Sequence, residues 1–140
     1  MRLVVLAVGK IRERGLREAA DDYLKRLQRY ARCDEVEVRD SAALARAIPN
    51  DALLIALAID GDALTSEAFA KKLERWASRG KGVLAFLIGG AEGLPPELCR
   101  RAAVRLSLSS FTLPHRLARV VLFEQLYRAM TILRGEPYAH

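Results

Sequence analysis

The residues whose types and spacing could carry chemistry in this chain are Gly89-Gly90-Ala91-Glu92-Gly93, which close the apolar run 83–88 and lead into Leu94-Pro95-Pro96-Glu97. A strand apolar at every position is buried on both faces, as in the middle of a parallel sheet. Glycines allow close backbone approaches that a Cβ forbids, and the two prolines suit a helix start. A buried strand that ends in a glycine loop and a helix start is where open α/β sheets bind ligands. A tight turn with no ligand would use the same residues. The loop 109–115, SSFTLPH, taken alone reads as a surface connection in which Pro114 sets a helix start, with His115 and Arg119, one helical turn on, facing solvent.

The common nucleotide signatures are missing. The first strand closes in GKIRERG, which has no second glycine where a dinucleotide fold needs one, and no GxxxxGK[ST] phosphate loop occurs. Glu92 places a carboxylate where phosphates would need bare N–H groups. A neutral or positively charged ligand, such as a sulfonium, suits the glycine loop better.

The elements that must position these residues alternate between strand and helix. Residues 2–8 predict a first buried strand. Leu16, Ala20, Tyr23, Leu24, Leu27 and Tyr30 form the apolar stripe of a first helix. A half-buried, peripheral strand is expected at 35–39, then a short helix through Ile48 capped by Asp40 or Ser41. The apolar run 52–59 predicts a second buried strand that stops at Asp60-Gly61-Asp62. Thr65 or Ser66 caps a helix whose stripe is Phe69, Leu73, Trp76 and Ala77. After strand 83–88 come a short helix at 95–103, a last strand at 105–109, and the longest amphipathic helix at about 117–133. The fold class is therefore α/β, one domain over residues 1–140, with a mostly parallel sheet and helices on both faces. Within the last helix Glu124 is expensive to bury unpaired, and Arg128 at i+4 is its simplest partner.

Composition narrows the class. The 140 residues are 51% hydrophobic and 29% charged, as in an ordinary globular domain, and the net charge of +6 favours a polyanionic partner. Only 6% are aromatic, too few for a base-stacking sheet. Cys33 and Cys99 lie in no metal or redox motif, so they read as two reduced thiols and no metal is expected. No run approaches the roughly 20 apolar residues of a membrane span, and a cytoplasmic location with no membrane partner is expected.

LIGGAEGLPPE (87–97), LSLSSFTLPHRLARVVLFEQLYRA (106–129) and the terminal Pro137-Tyr138 pair resemble the ribosomal large-subunit pseudouridine N3-methyltransferase family of the SPOUT superfamily. The resemblance spans the chain and is most specific across residues 86–138. It implies a C-terminal trefoil knot, S-adenosylmethionine as cofactor, and a homodimer. It further implies a pseudouridine in helix 69 of 23S rRNA as substrate, within the assembled 70S ribosome. Carried over by position, Leu57, Gly90, Ser109, Ser110, Phe111, Thr112, Leu113 and Pro114 would bind the cofactor. His115, Arg119 and Tyr138 would serve the methyl transfer. His115 would contact the base or take its proton, and Arg119 would hold a phosphate or stabilise the imide anion. Tyr138 would reach the cofactor of a second subunit. The chain departs from the family's pattern at Ala139 and His140, where a histidine and a basic residue are usual, and in a short linker at 40–50. A catalytically silent RNA-binding module that keeps the fold is the competing reading, suggested by the basic surface and the altered tail.

Overall fold

Five strands and five helices alternate along the chain, and the structure, a computed structural model, describes residues 1–138. Strands β1 (Arg2–Val8), β2 (Arg32–Val38), β3 (Leu53–Ala63), β4 (Val83–Ile88) and β5 (Val104–Ser107) form one sheet. Their order is β2-β1-β4-β3-β5, and every neighbouring pair is parallel. Residues Leu3 to Ala7 of β1 and Leu84 to Ile88 of β4 are all buried. Their unbroken apolar runs follow from lying inside the sheet with both faces covered.

Alternate side chains of each strand point to opposite faces and so build two cores. Leu3, Val5, Ile55, Leu84 and Phe86 lie under α1 (Arg14–Leu27), α3 (Ser66–Arg79) and α5 (His115–Arg134). Val4, Leu6, Leu54, Ala85 and Leu87 lie under α2 (Ser41–Arg46) and α4 (Pro96–Arg101). The α5 helix packs between α1 and α3 and buries eight of its own residues, Phe123 and Leu126 among them. Asp40 caps α2 by accepting from the Ala43 amide at 2.8 Å, and Thr65 caps α3 through the Ala68 amide at 3.1 Å. Gly135, at φ 64°, ends α5 in the left-handed conformation that glycine adopts without strain.

Several sequence expectations needed correction at their edges. The longest strand does not stop at Asp60-Gly61-Asp62 but runs on to Ala63. Leu57 and Asp62 both pair with Leu106, so the residues between them bulge out against β5. Gly61 makes this possible, because a Cβ there would stand 2.6 Å from the Arg105 carbonyl carbon. Asp60 and Arg105 form an ion pair at the same place. The last strand ends at Ser107 rather than Ser109, which lengthens the loop before α5, and that helix begins at His115. The peripheral strand covers Arg32–Val38 and lies at one edge of the sheet.

Candidate functional site

Beyond the carboxyl ends of β3, β4 and β5 the chain leaves a cleft of about 600 Å³, part of it open to solvent. Three segments line it: Leu57, Ala58 and Ile59 from the β3 bulge, Gly89, Gly90 and Gly93 from the loop after β4, and Leu106 to Ser109, Phe111 to Leu113 and His115 from the end of β5 onward. Helix α5 also contributes Ala118.

Each wall has a local cause. Gly90 and Gly93 face each other as an isolated antiparallel bridge, and the Gly93 amide donates to the Gly90 carbonyl at 2.9 Å. Gly93 has φ +80°, and a Cβ on Gly89 would lie 2.3 Å from the Gly93 carbonyl carbon, so this turn admits no side chain at either place. After β5, the Ser107 hydroxyl donates to the Ser109 carbonyl at 3.0 Å, and the Ser109 hydroxyl accepts from the Phe111 amide at 2.9 Å. These bonds curl the loop over the cleft and leave Phe111 82% exposed at its mouth, with Ile59 63% exposed.

Of the cofactor residues expected from sequence, Leu57, Gly90, Ser109, Phe111, Thr112 and Leu113 meet in this cleft, whereas Ser110 and Pro114 border the loop without lining it. Sequence reasoning missed the bulge residues Ala58 and Ile59, because Asp60-Gly61-Asp62 reads as a turn and the bulge depends on β5 lying alongside. Among the lining residues His115 is the sole titratable group. No lysine or arginine is present to hold a phosphate, and no carboxylate to hold a cation. Glu92 is exposed and does not line the cleft, so the lack of cations, not Glu92, disfavours phosphate. Burial pushes the His115 pKa down, helped by the nearby charges of Arg116 and Arg119, so the neutral imidazole is favoured.

The other two residues assigned to catalysis lie outside the cleft. Arg119 is fully buried. Its guanidinium donates to Glu35 at 3.0 Å, to Glu37, and to the Gly9 carbonyl at 2.9 Å. A side chain held by two carboxylates and a carbonyl cannot reach a substrate phosphate without breaking that set, so the expected phosphate contact is corrected. Arg17 joins the same network, bonded to Glu35 at 2.5 Å, which raises its own pKa. One turn earlier Arg116 pairs with Glu13 at 2.8 Å. Two successive turns of α5 are therefore pinned to the β1 end of the molecule.

Tyr138 folds onto its own helix. Its hydroxyl donates to Glu124 at 2.9 Å, its ring meets Tyr127 edge-on at 4.9 Å, and Arg128 lies 4.4 Å over its face. Burial and the Glu124 carboxylate push the phenol pKa up, so it stays protonated. Glu124 takes the partner expected for it, two bonds from Arg128 at 2.9 and 3.2 Å. Ala139 and His140 lie outside the described residues. Burial drives the Cys33 thiol up to about 12, which makes it an inert core residue. Among the described residues no cluster of His, Cys, Asp and Glu could hold a metal ion, and no helix is long and apolar enough to cross a membrane.

A five-stranded parallel sheet flanked by helices is a fold shared with solved methyltransferases. A probable methylase family protein from Haemophilus influenzae superposes over 99% of this chain and 70% of its own, with a TM-score of 0.59 at 13% identity. The SpoU methyltransferase AviRb from Streptomyces viridochromogenes, solved with AdoMet, superposes over 96% of this chain and 58% of its own, with a TM-score of 0.54 at 15% identity. At these identities the likeness establishes the fold. The family described as "Predicted SPOUT methyltransferase" matches residues 1–140. Proteins described as "Ribosomal RNA large subunit methyltransferase H" are 60% identical in Sorangium cellulosum, over 100% of both chains, and 49% identical in Anaeromyxobacter dehalogenans, over 99% of both. The chain belongs to the SPOUT methyltransferases and, within them, to the ribosomal RNA large subunit methyltransferase H family.

Proposed function

We propose that this protein methylates 23S rRNA with S-adenosylmethionine, at N3 of a pseudouridine in helix 69, on the assembled 70S ribosome. One observation carries the reading: the cleft that the β3 bulge, the glycine turn and the 106–115 loop build together is uncharged and lies against His115. An adenosine fits such walls through backbone groups and apolar side chains, and a sulfonium meets no repelling cation there. The residues that would hold the cofactor are Leu57, Gly90, Ser109, Phe111, Thr112 and Leu113, with Ser110 and Pro114 shaping the loop. The cofactor supplies an electrophilic methyl group, so the protein has to orient two reactants, take a proton and exclude water.

His115 is the group placed to take the proton. N3 of pseudouridine is an imide nitrogen that must lose its hydrogen before it can attack, and a neutral imidazole can accept it. Because burial and two arginines disfavour the imidazolium, the imidazole stays competent as the pH falls below the usual histidine value of about 6.5. The acid limb of the kcat/KM profile on ribosomes is expected to have its midpoint below that value, and His115→Gln is expected to remove the limb with a rate loss of about 10²–10⁴. A midpoint above 6.5, or a limb unchanged in the variant, would take the proton from another group.

Arg119 then acts on the site through position, fixing the first turns of α5 under His115. Tyr138 stands away from the cleft of its own chain, so its part in catalysis requires a second protomer, with the tail crossing to the partner's cleft. Phe111 and Ile59, exposed at the cleft mouth, offer apolar surface for that homodimer. A trefoil knot and a cytoplasmic location complete the reading. Titration calorimetry with S-adenosylmethionine, followed by mass spectrometry of rRNA fragments from cells with and without the protein, tests it. Binding, with one methyl lost from a helix 69 fragment in the deletion, is the expected pair of results. No heat at millimolar cofactor would instead favour a silent RNA-binding module.

A further inference from the structure

The residues that join β1 to α1, Gly9 to Glu13, are bonded to the first turns of α5, which carry the cleft residue His115, and are tied down at three points. The Gly9 amide donates to the Val38 carbonyl at 2.7 Å, while its own carbonyl accepts from Arg119 at 2.9 Å. Ile11 is buried in the core at 5% exposure. Glu13 is held by Arg116, the neighbour of His115. On the cleft side, Val8 lies so close to the glycine turn that a Cβ on Gly90 would come within 3.3 Å of it. The segment therefore stands beside both Gly90 and the first turn of α5.

A buried Ile11 between two exposed residues turns Lys10 and Arg12 outward. Among the described residues neither makes an ion pair, unlike Arg14, Arg17 and Arg116 around them. Arg39, which follows the β2 residue bonded to Gly9, is 87% exposed, with only its neighbour Asp40 at 3.7 Å. The acidic groups nearby are already engaged: Glu13 by Arg116, and Glu35 and Glu37 by Arg119 and Arg17. Glu92 is the exception, exposed on the glycine turn. The cleft itself holds no cation, so a polyanionic substrate entering it must find its charge partners outside it.

We infer that Lys10 and Arg12 form a phosphate clamp that grips the backbone of the RNA strand whose base enters the cleft beside His115. The inference rests on the proposed rRNA substrate and assigns the surface that holds it. A rigidly anchored segment suits this task, because two long side chains on a fixed backbone pay their ordering cost at the tips alone. Such contacts position a strand without reading its sequence.

The test is steady-state methylation of purified 70S ribosomes across a salt series. It compares the wild type, the double variant Lys10→Ala/Arg12→Ala, and a control, Arg75→Ala/Arg79→Ala. The control removes two exposed charges from α3, which runs back toward the amino end of the sheet. In the Lys10/Arg12 variant KM for ribosomes is expected to rise at least about tenfold, and the log–log salt slope to fall by about 2, near 1 per phosphate contact. Its S-adenosylmethionine affinity, kcat and melting temperature are expected to match the wild type, and the control to keep the wild-type KM. A Lys10/Arg12 variant with wild-type KM and salt slope, or a control that loses as much, overturns the clamp while the rRNA reading stands. A wild type that binds the cofactor but leaves ribosomes unmethylated overturns both.

Discussion

Replacing Gly90 with valine is expected to weaken S-adenosylmethionine binding by roughly ten- to hundredfold while the fold survives. Gly90 lines the cleft, and its backbone does not need the positive φ that Gly93 has. A Cβ there meets the side chain of Val8 at 3.3 Å, which a few tenths of an ångström of movement would relieve. The two further methyl groups add bulk at a residue that lines the cleft the cofactor would fill. Overfilling a packed site costs about 1–3 kcal/mol, and each 1.4 kcal/mol is tenfold in affinity. Gly89→Ala is the contrasting variant. Its Cβ would collide with the Gly93 backbone at 2.3 Å, so it should open the turn itself and lower the melting temperature as well. Calorimetry with the cofactor, alongside thermal melts, separates the two. Normal affinity in Gly90→Val would remove the glycine turn from the cofactor site.

Arg119→Ala is expected to destabilise the protein by about 3 kcal/mol, near the lower end of what breaking a buried ion pair costs. Glu35, whose side chain is 9% exposed, would lose one of its two arginines, and the Gly9 carbonyl would lose its donor. The loss stays at that end because Arg17 still holds Glu35 and because Glu37, 27% exposed, can turn to water. In a chain of this size such a loss lowers the melting temperature by roughly 10 °C. Turnover should fall with it, because the first turns of α5 carry His115. Arg119→Met combined with Glu35→Gln and Glu37→Gln should recover much of the stability, since no buried charge is then left alone. A melting temperature within about 2 °C of wild type for Arg119→Ala would show that the network contributes little, and Arg119 would be free to be reconsidered as a substrate contact.

The alternation of strands and helices and the glycine turn of the cleft could be read from residue patterns, whereas Leu57 and the loop 109–114 entered the site only through the family resemblance. Buried parallel strands must be apolar at every position, and residues 3–7 and 84–88 are. The caps were legible to within a residue, as Asp40 or Ser41 and as Thr65 or Ser66, because a side-chain oxygen before a helical stripe satisfies amides within three residues. The folded chain uses Asp40 and Thr65. The glycine turn was legible for the same reason: its constraints are local. The course of residues 58–63 was not local, since Asp60-Gly61-Asp62 becomes part of a strand only when β5 passes within 2.6 Å of where a Cβ on Gly61 would stand.

The same division governs the charged residues. From sequence, Glu124 and Arg128 were partners, because four residues along a helix place two side chains side by side, and the structure bears this out. Arg119 was assigned to a substrate phosphate, yet its partners Glu35 and Glu37 lie 84 and 82 residues away in the chain. Tyr138 likewise meets Glu124 only because the chain turns back at Gly135. Sequence determined which residues are apolar, which turns need glycine and which local pairs form, since those depend on neighbours a few bonds distant. Tertiary structure alone decided which charges are spent inside the molecule and which, like Lys10 and Arg12, remain on its surface, because an ion pair is fixed by distance in space, and folding sets that.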